Sequence, residues 1–213
     1  MIPLFSVWMN KNVHKEVQKV LESGFIGQGP KVEEFESVLK DYIGNPYIST
    51  MNSATSAEHL ALHMLKKPMW ETFDGCAQKQ IWSGLEKDDE VLCTPLTCTA
   101  TNWPVLANNL NIKWVDIDER NLNMDLDDLE RKITKKTKVI FLVHWGGYPV
   151  DLDRVKKIVE KSESKIGFKP IVIEDCAHSL GSTYKNQRLG NHGNICTYSF
   201  QAIKHVTSVD GGM

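Results

Sequence analysis

An aspartate, a lysine and a hydroxyl-rich turn are the residues of this chain best suited to chemistry. Asp175 ends the run Ile171-Val172-Ile173-Glu174-Asp175. Its carboxylate therefore emerges from an apolar strand and needs a cationic partner to remain charged. Lys204 lies past a last strand-like run, in YSFQAIK. It reads either as a surface charge or as an amine able to form imines with carbonyl compounds, once partial burial or nearby cations lower its pKa. The turn Asn52-Ser53-Ala54-Thr55-Ser56 opens a helical pattern. Its N–H groups, hydroxyls and helix dipole suit a phosphate, and ordinary capping accounts for the same residues equally well. An acid, an amine and an anion cradle together admit pyridoxal phosphate as one option among several.

Other constellations are weaker. His144, His178, His192 and His205 lack the short repeated spacing of a zinc site. The glycines of GFIGQGP do not follow a strand, so they make no dinucleotide fingerprint. Cys176 and Cys196 lie in apolar runs, where cysteine is usually a small core hydrophobe.

In an open α/β sheet, ligands bind beyond the C-terminal ends of the strands, and that is where these residues recur. Residues 47–50 are expected as a short strand before the Asn52 turn. EVLCTP, IKWVDI, TKVIFLVH, PIVIEDC and ICTYSF follow as further strands. Between them TATNWPVLANN, LDDLERKI and DLDRVKKIVEKSE read as helices. Runs such as VIFLV, apolar on both faces, require a sheet covered on both sides. Upstream, VHKEVQKVLE puts Val13, Val17, Val20 and Leu21 on one helical face. Pro30 opens a second helix with Val32, Phe35, Val38 and Leu39 as its stripe. One long connection, residues 68–88, interrupts the alternation. Trp70, Phe73 and Trp82 predict a packed excursion there, with a short helix at CAQKQIW.

The 213 residues are read as one domain. With 25 Lys+Arg against 27 Asp+Glu, a net charge of -2 gives no footprint for nucleic acid. Cysteines 76, 93, 98, 176 and 196 form no CxxC pair. An odd count with no secretory leader pattern is expected of reduced thiols in the cytoplasm. No apolar run approaches the roughly 20 residues of a membrane span.

The chain resembles the DegT/DnrJ/EryC1/StrS family of pyridoxal-phosphate-dependent nucleotide-sugar aminotransferases. The resemblance runs through FIGQGPKVEEFE, NSATSAEHLAL, DEVLCTP, VDIDERNLNMDLDDLERKIT and KVIFLVHWGGYPVDLDRV. It continues to the chain end through VIEDCAHSLGSTYKNQRLGNHGNICTYSFQAIKHVTSVDGGM, with residues 68–88 standing out as an insertion. It implies a type I transferase large domain, a mostly parallel seven-stranded sheet between helices, over residues 1–213, with the smaller C-terminal domain absent. It also implies a cytoplasmic homodimer that transfers an amino group from a donor such as glutamate to a nucleotide-linked keto sugar. By the same resemblance, Lys204 matches the lysine of the internal aldimine and Asp175 the acid at the pyridine nitrogen. His178 falls near the ring hydroxyl, and Ser199, Ala54 and Thr55 at the phosphate. Cys98 stands where the family usually has a stacking aromatic ring, and Ala54 where glycine is usual. Related dehydratases carry histidine in place of the lysine, so Lys204 argues for transamination. The other reading is a shortened, non-catalytic relative that keeps the fold, with or without cofactor or partner binding.

Overall fold

The apolar runs at the heart of the sequence become neighbouring strands of a single sheet in the computed structural model, which describes residues 2–3, 5–73 and 77–213. The helices are α1 (Val13–Ser23), α2 (Pro30–Ile43), α3 (Ala54–Met64), α4 (Thr99–Ala107), α5 (Leu126–Lys132) and α6 (Leu152–Ile166). The strands are β1 (Met69–Phe73), β2 (Ala77–Trp82), β3 (Glu90–Cys93), β4 (Asn111–Trp114), β5 (Thr137–Val143), β6 (Ile171–Asp175), β7 (Thr183–Tyr184), β8 (Gln187–Arg188) and β9 (Ile195–Thr197). The main sheet runs β4-β3-β5-β6-β9, and every pairing in it is parallel.

Five strands form this sheet instead of the expected seven. The next two positions are held by isolated antiparallel bridges, Ser199 to Gly212 and Gly212 to Met51. Residues 47–50, expected as a strand, form none. Tyr47 is exposed, and Thr50 is drawn instead to Glu36 on α2 through its N–H at 2.7 Å and its hydroxyl at 2.9 Å.

Side-chain alternation splits the strands between two cores. Val91, Cys93, Val139, Phe141 and Ile173 pack with Ala61 and Leu62 of α3, Leu65 just past its end, and Val105 of α4. Leu92, Ile140, Leu142 and Val172 pack on the opposite face with Leu39 of α2, Leu129 of α5 and Val155 and Ile158 of α6. The same parity, continued past the ends of β5 and β6, decides which polar residues meet.

The connection after α3 is an antiparallel hairpin, β1 with β2. The expected helix at CAQKQIW is therefore replaced by strand, and Cys76 lies outside the described residues. Gln78, Lys79, Gln80 and Ile81 are all exposed, so no apolar face drives a helix there. Trp82 is buried and donates its indole N–H to the Leu65 carbonyl at 2.7 Å, whereas Trp70 is 54% exposed. The Phe73 side chain is outside the described set. No residue of α1 is buried, and of its apolar stripe only Val20 is partly covered.

Candidate active site

β6 carries Asp175 out on the α3/α4 face, two positions beyond Ile173, where an alternating strand must put it. The carboxylate is 5% exposed and held by two donors. The Thr101 hydroxyl of α4 reaches Oδ2 at 2.7 Å, and the Ala177 N–H reaches Oδ1 at 2.9 Å. Thr101 is itself buried and hydrogen-bonded to Thr97. The acid thus stands at the C-terminal edge of the sheet with its orientation fixed from two sides.

A cavity of about 360 Å³ opens over it, toward the lower end of the ~300–1,000 Å³ usual for small-molecule sites. The seven residues that the resemblance assigns to the cofactor border it: Ala54, Thr55, Cys98, Asp175, His178, Ser199 and Lys204. They arrive from four places: the start of α3, the start of α4, the end of β6 and the segment after β9. Ser53 caps α3, accepting from the Ser56 N–H at 3.1 Å. The N–H groups of Ala54 and Thr55, in the first turn, have no partner within the helix. Ser199 follows β9, and Lys204 lies on the loop beyond it, its N–H bonded to the Gln201 carbonyl at 2.9 Å. Lys204 Nζ makes no hydrogen bond or ion pair among the described residues. Burial, followed by the charges of Lys204 and His205, holds the His178 imidazole below its usual pKa, with Asp175 opposing them. His178 packs edge-on to Trp145, ring centroids 5.4 Å apart. Cys98 is exposed at the start of α4. His178 is the only ring among the described residues bordering the cavity.

Gly212 ties the lysine-bearing loop to the phosphate-type turn. Its N–H and carbonyl pair with Met51 at 2.9 and 2.7 Å. A Cβ at this position would fall 2.2 Å from the Ala54 nitrogen, so the backbones touch as only a glycine permits.

The other histidines go elsewhere. His144 and Glu174 have the opposite parity and meet behind the sheet, Nε2 to Oε2 at 2.8 Å, both fully buried. The Val150 N–H donates to His144 Nδ1 at 3.1 Å, so the ring proton sits on Nε2. Cys176 lies with them, its ligand atom within 4.8 Å of theirs. Cys176 is thus buried beside polar groups, not in the apolar setting expected from its run. Both His144 nitrogens are already used, and the second Glu174 oxygen accepts from Asn194 at 2.6 Å, which accounts for the cluster as internal structure. His192 bonds the Tyr184 carbonyl at 3.2 Å, and His205 is exposed.

The sequence reading passed over two residues of the site, Thr101 and Glu58. Glu58 is 1% exposed on α3 and borders the cavity. The signal for it was present: an acid inside the alanine- and leucine-rich interior of a buried helix.

The donor set fits pyridoxal phosphate group by group. An unengaged amine suits its aldehyde, a buried and oriented carboxylate its ring nitrogen, and a capped helix start with flanking hydroxyls its phosphate. The family model described as the DegT/DnrJ/EryC1/StrS aminotransferase family matches residues 8–213. The solved structure of AtS13 from Actinomadura melliaura superposes with a TM-score of 0.89 at 50% identity, covering 100% of this chain and 52% of its own. The sugar aminotransferase CalS13 from Micromonospora echinospora gives 0.88 at 44%, covering 100% and 53%. GDP-4-keto-6-deoxy-D-mannose-3-dehydratase from E. coli, solved with bound hydrated PLP, gives 0.83 at 28%, covering 100% and 50%. The chain spans about half the length of the curated relatives it matches. No helix among the described residues is long and apolar enough to cross a membrane.

Proposed function

The chain belongs to the DegT/DnrJ/EryC1/StrS aminotransferase family, and from that premise we propose that it is the large-domain portion of a pyridoxal-phosphate enzyme that transfers an amino group from an amino-acid donor such as glutamate to a nucleotide-linked keto sugar. The observation that carries this reading is the convergence of an unengaged lysine, a buried oriented carboxylate and a helix start on one cavity. Residues 68–88 are, in this reading, an insertion into one domain. The homodimer and the cytoplasmic setting belong to the same proposal. Exposed Trp8, Val17, Leu21, Phe25 and Ile26 offer apolar surface for a second copy.

Bound pyridoxal phosphate supplies an electron sink for the carbanion formed at the donor Cα. Lys204 Nζ would be the amine that holds the cofactor and the base available to carry a proton at the donor Cα. Asp175 would face the ring nitrogen, its carboxylate held and aimed by the Thr101 hydroxyl and the Ala177 N–H. His178, kept neutral, can bond the ring hydroxyl without adding charge. Ala54, Thr55 and Ser199 offer donors to the phosphate. Cys98 borders the same space with a small thiol, which supplies no stacking face. Lysine at position 204, where related dehydratases carry histidine, favours transamination over the dehydration named for the E. coli relative.

Incubation with pyridoxal phosphate, borohydride reduction and peptide mapping test the assignment. A label on Lys204 that is lost in Lys204→Ala is expected. Label spread over surface lysines, or unchanged in Lys204→Ala, would overturn it. A specific label without turnover on keto-sugar nucleotides and glutamate would favour the non-catalytic reading of this chain.

A further inference from the structure

Glu58 and Asp175 are two carboxyl groups buried at one cavity, and the structure treats them unequally. Asp175 receives two donors, the Thr101 hydroxyl and the Ala177 N–H. Glu58 Oε2 has no hydrogen-bond partner among the described residues, although the residue is 1% exposed. The groups acting on Glu58 are the Asp175 carboxyl of β6, which borders the same cavity, the Cys98 thiol before α4, the Cys93 thiol of β3 and the Thr197 hydroxyl of β9. Lys204 and His178 border the same cavity.

Two acids in such a space do not both ionise, and the one better supplied with donors takes the charge. We propose that Glu58 is a positioning residue: it stays a neutral carboxylic acid at neutral pH and donates its proton to Asp175 as a third hydrogen bond. Burial, and then the Asp175 charge, push the Glu58 pKa well above the usual carboxylate range, which agrees with that assignment. Glu58 would otherwise be a buried charge beside a like charge, which is the costliest arrangement available to it.

The functional consequence concerns charge. With Glu58 neutral, the pair presents a single negative charge, matched to one protonated ring nitrogen. With both ionised, a second negative charge would lie uncompensated beneath the ring. That consequence rests on the cofactor reading above, whereas the protonation state itself is a property of the chain alone.

Two measurements test it, and they fail separately. In the first, chain carrying carboxyl-13C glutamate is titrated by NMR from pH 5 to pH 9 without cofactor. One glutamate is expected to remain protonated at pH 7 and to be missing from Glu58→Gln. Finding every glutamate ionised at pH 7, or the protonated signal intact in Glu58→Gln, overturns the proposal whatever the chain binds. In the second, pyridoxal phosphate binding is measured across the same range. Wild type is expected to show an alkaline step in affinity that Glu58→Gln lacks, because an amide donates but does not ionise. Glu58→Leu is expected to bind about tenfold more weakly or worse, having lost a hydrogen bond to a charged group, with its fold checked by circular dichroism. A Glu58→Leu affinity equal to that of Glu58→Gln would reduce Glu58 to a packing role and refute the donor assignment. Complete absence of cofactor binding in wild type would count against the function proposed above and leave the titration result standing.

Discussion

Replacing Gly212 with alanine is the sharpest mechanical test of how the site is assembled. The new Cβ would sit 2.2 Å from the Ala54 nitrogen and 2.2 Å from the Ser53 carbonyl carbon, against a practical limit of 3.0 Å. Both atoms are backbone, so no side chain can swing aside. Relief requires the 211–213 segment to lift, which breaks the two hydrogen bonds to Met51. Those bonds contribute about 1 kcal/mol each, and overpacking of this kind costs about 1–3 kcal/mol more. The expected loss is about 3–5 kcal/mol, or roughly 6–20 °C in Tm at about 2–4 °C per kcal/mol for a chain of this size. Thermal unfolding followed by circular dichroism reads it directly. Gly167→Ala is the control, because its φ of +89° strains any side chain while nothing lies within 4 Å of the added carbon. Its cost is about 1–2 kcal/mol. If Gly212→Ala melts no lower than Gly167→Ala, the two backbones are not in contact in solution, and the link from the Lys204 loop to the Ser53–Ala54 turn is wrong.

Two further substitutions probe the frame. Glu36→Ala should destabilise by about 1–2 kcal/mol at pH 7, since a partly exposed carboxylate loses the Thr50 N–H and hydroxyl. The Thr50 N–H is the larger cause of a folded-state pKa below the usual one. The stabilisation is therefore present above about pH 4.3 and lost as pH falls through the folded value, so urea midpoints of wild type and variant should converge toward pH 3. Trp82→Ala should cost about 3–5 kcal/mol, removing a ring that is 6% exposed together with its bond to Leu65. Trp70→Ala, on a ring 54% exposed, should cost about 0.5 kcal/mol. Equal urea midpoints for the two tryptophan variants would mean that the hairpin does not pack as described.

The sequence was most legible where one physical rule acted alone. VIFLV and IVI are apolar at every position, and only a sheet covered on both faces uses such strands; β5 and β6 are its centre. Asp175 was legible for the same reason, as an acid closing an apolar strand at the sheet edge. CAQKQIW misled because its period is ambiguous over so few residues, and pairing with β1 outweighed local propensity. Residues 47–50 misled because the backbone partner of Thr50 was not a neighbouring strand but a side chain, Glu36 of α2. Glu58 went unread because its meaning is relational. An acid on an apolar helix is only an anomaly until the element it faces, β6, is known to end in another acid.

β6 also insulates. Asp175 lies on one face of that strand and Glu174 on the other, where it holds His144. The His144 N–H reaches the Asp175 carbonyl at 3.2 Å, but that contact is amide to amide, and a peptide group has one donor and one acceptor with no proton to pass along. Acid–base events in the cavity and the imidazole–carboxylate pair behind it therefore share a strand without sharing a proton wire. The rear pair can stay rigid and satisfied whatever the protonation on the cavity side, and solvent deuterium should enter the two sides at rates that have nothing to do with each other.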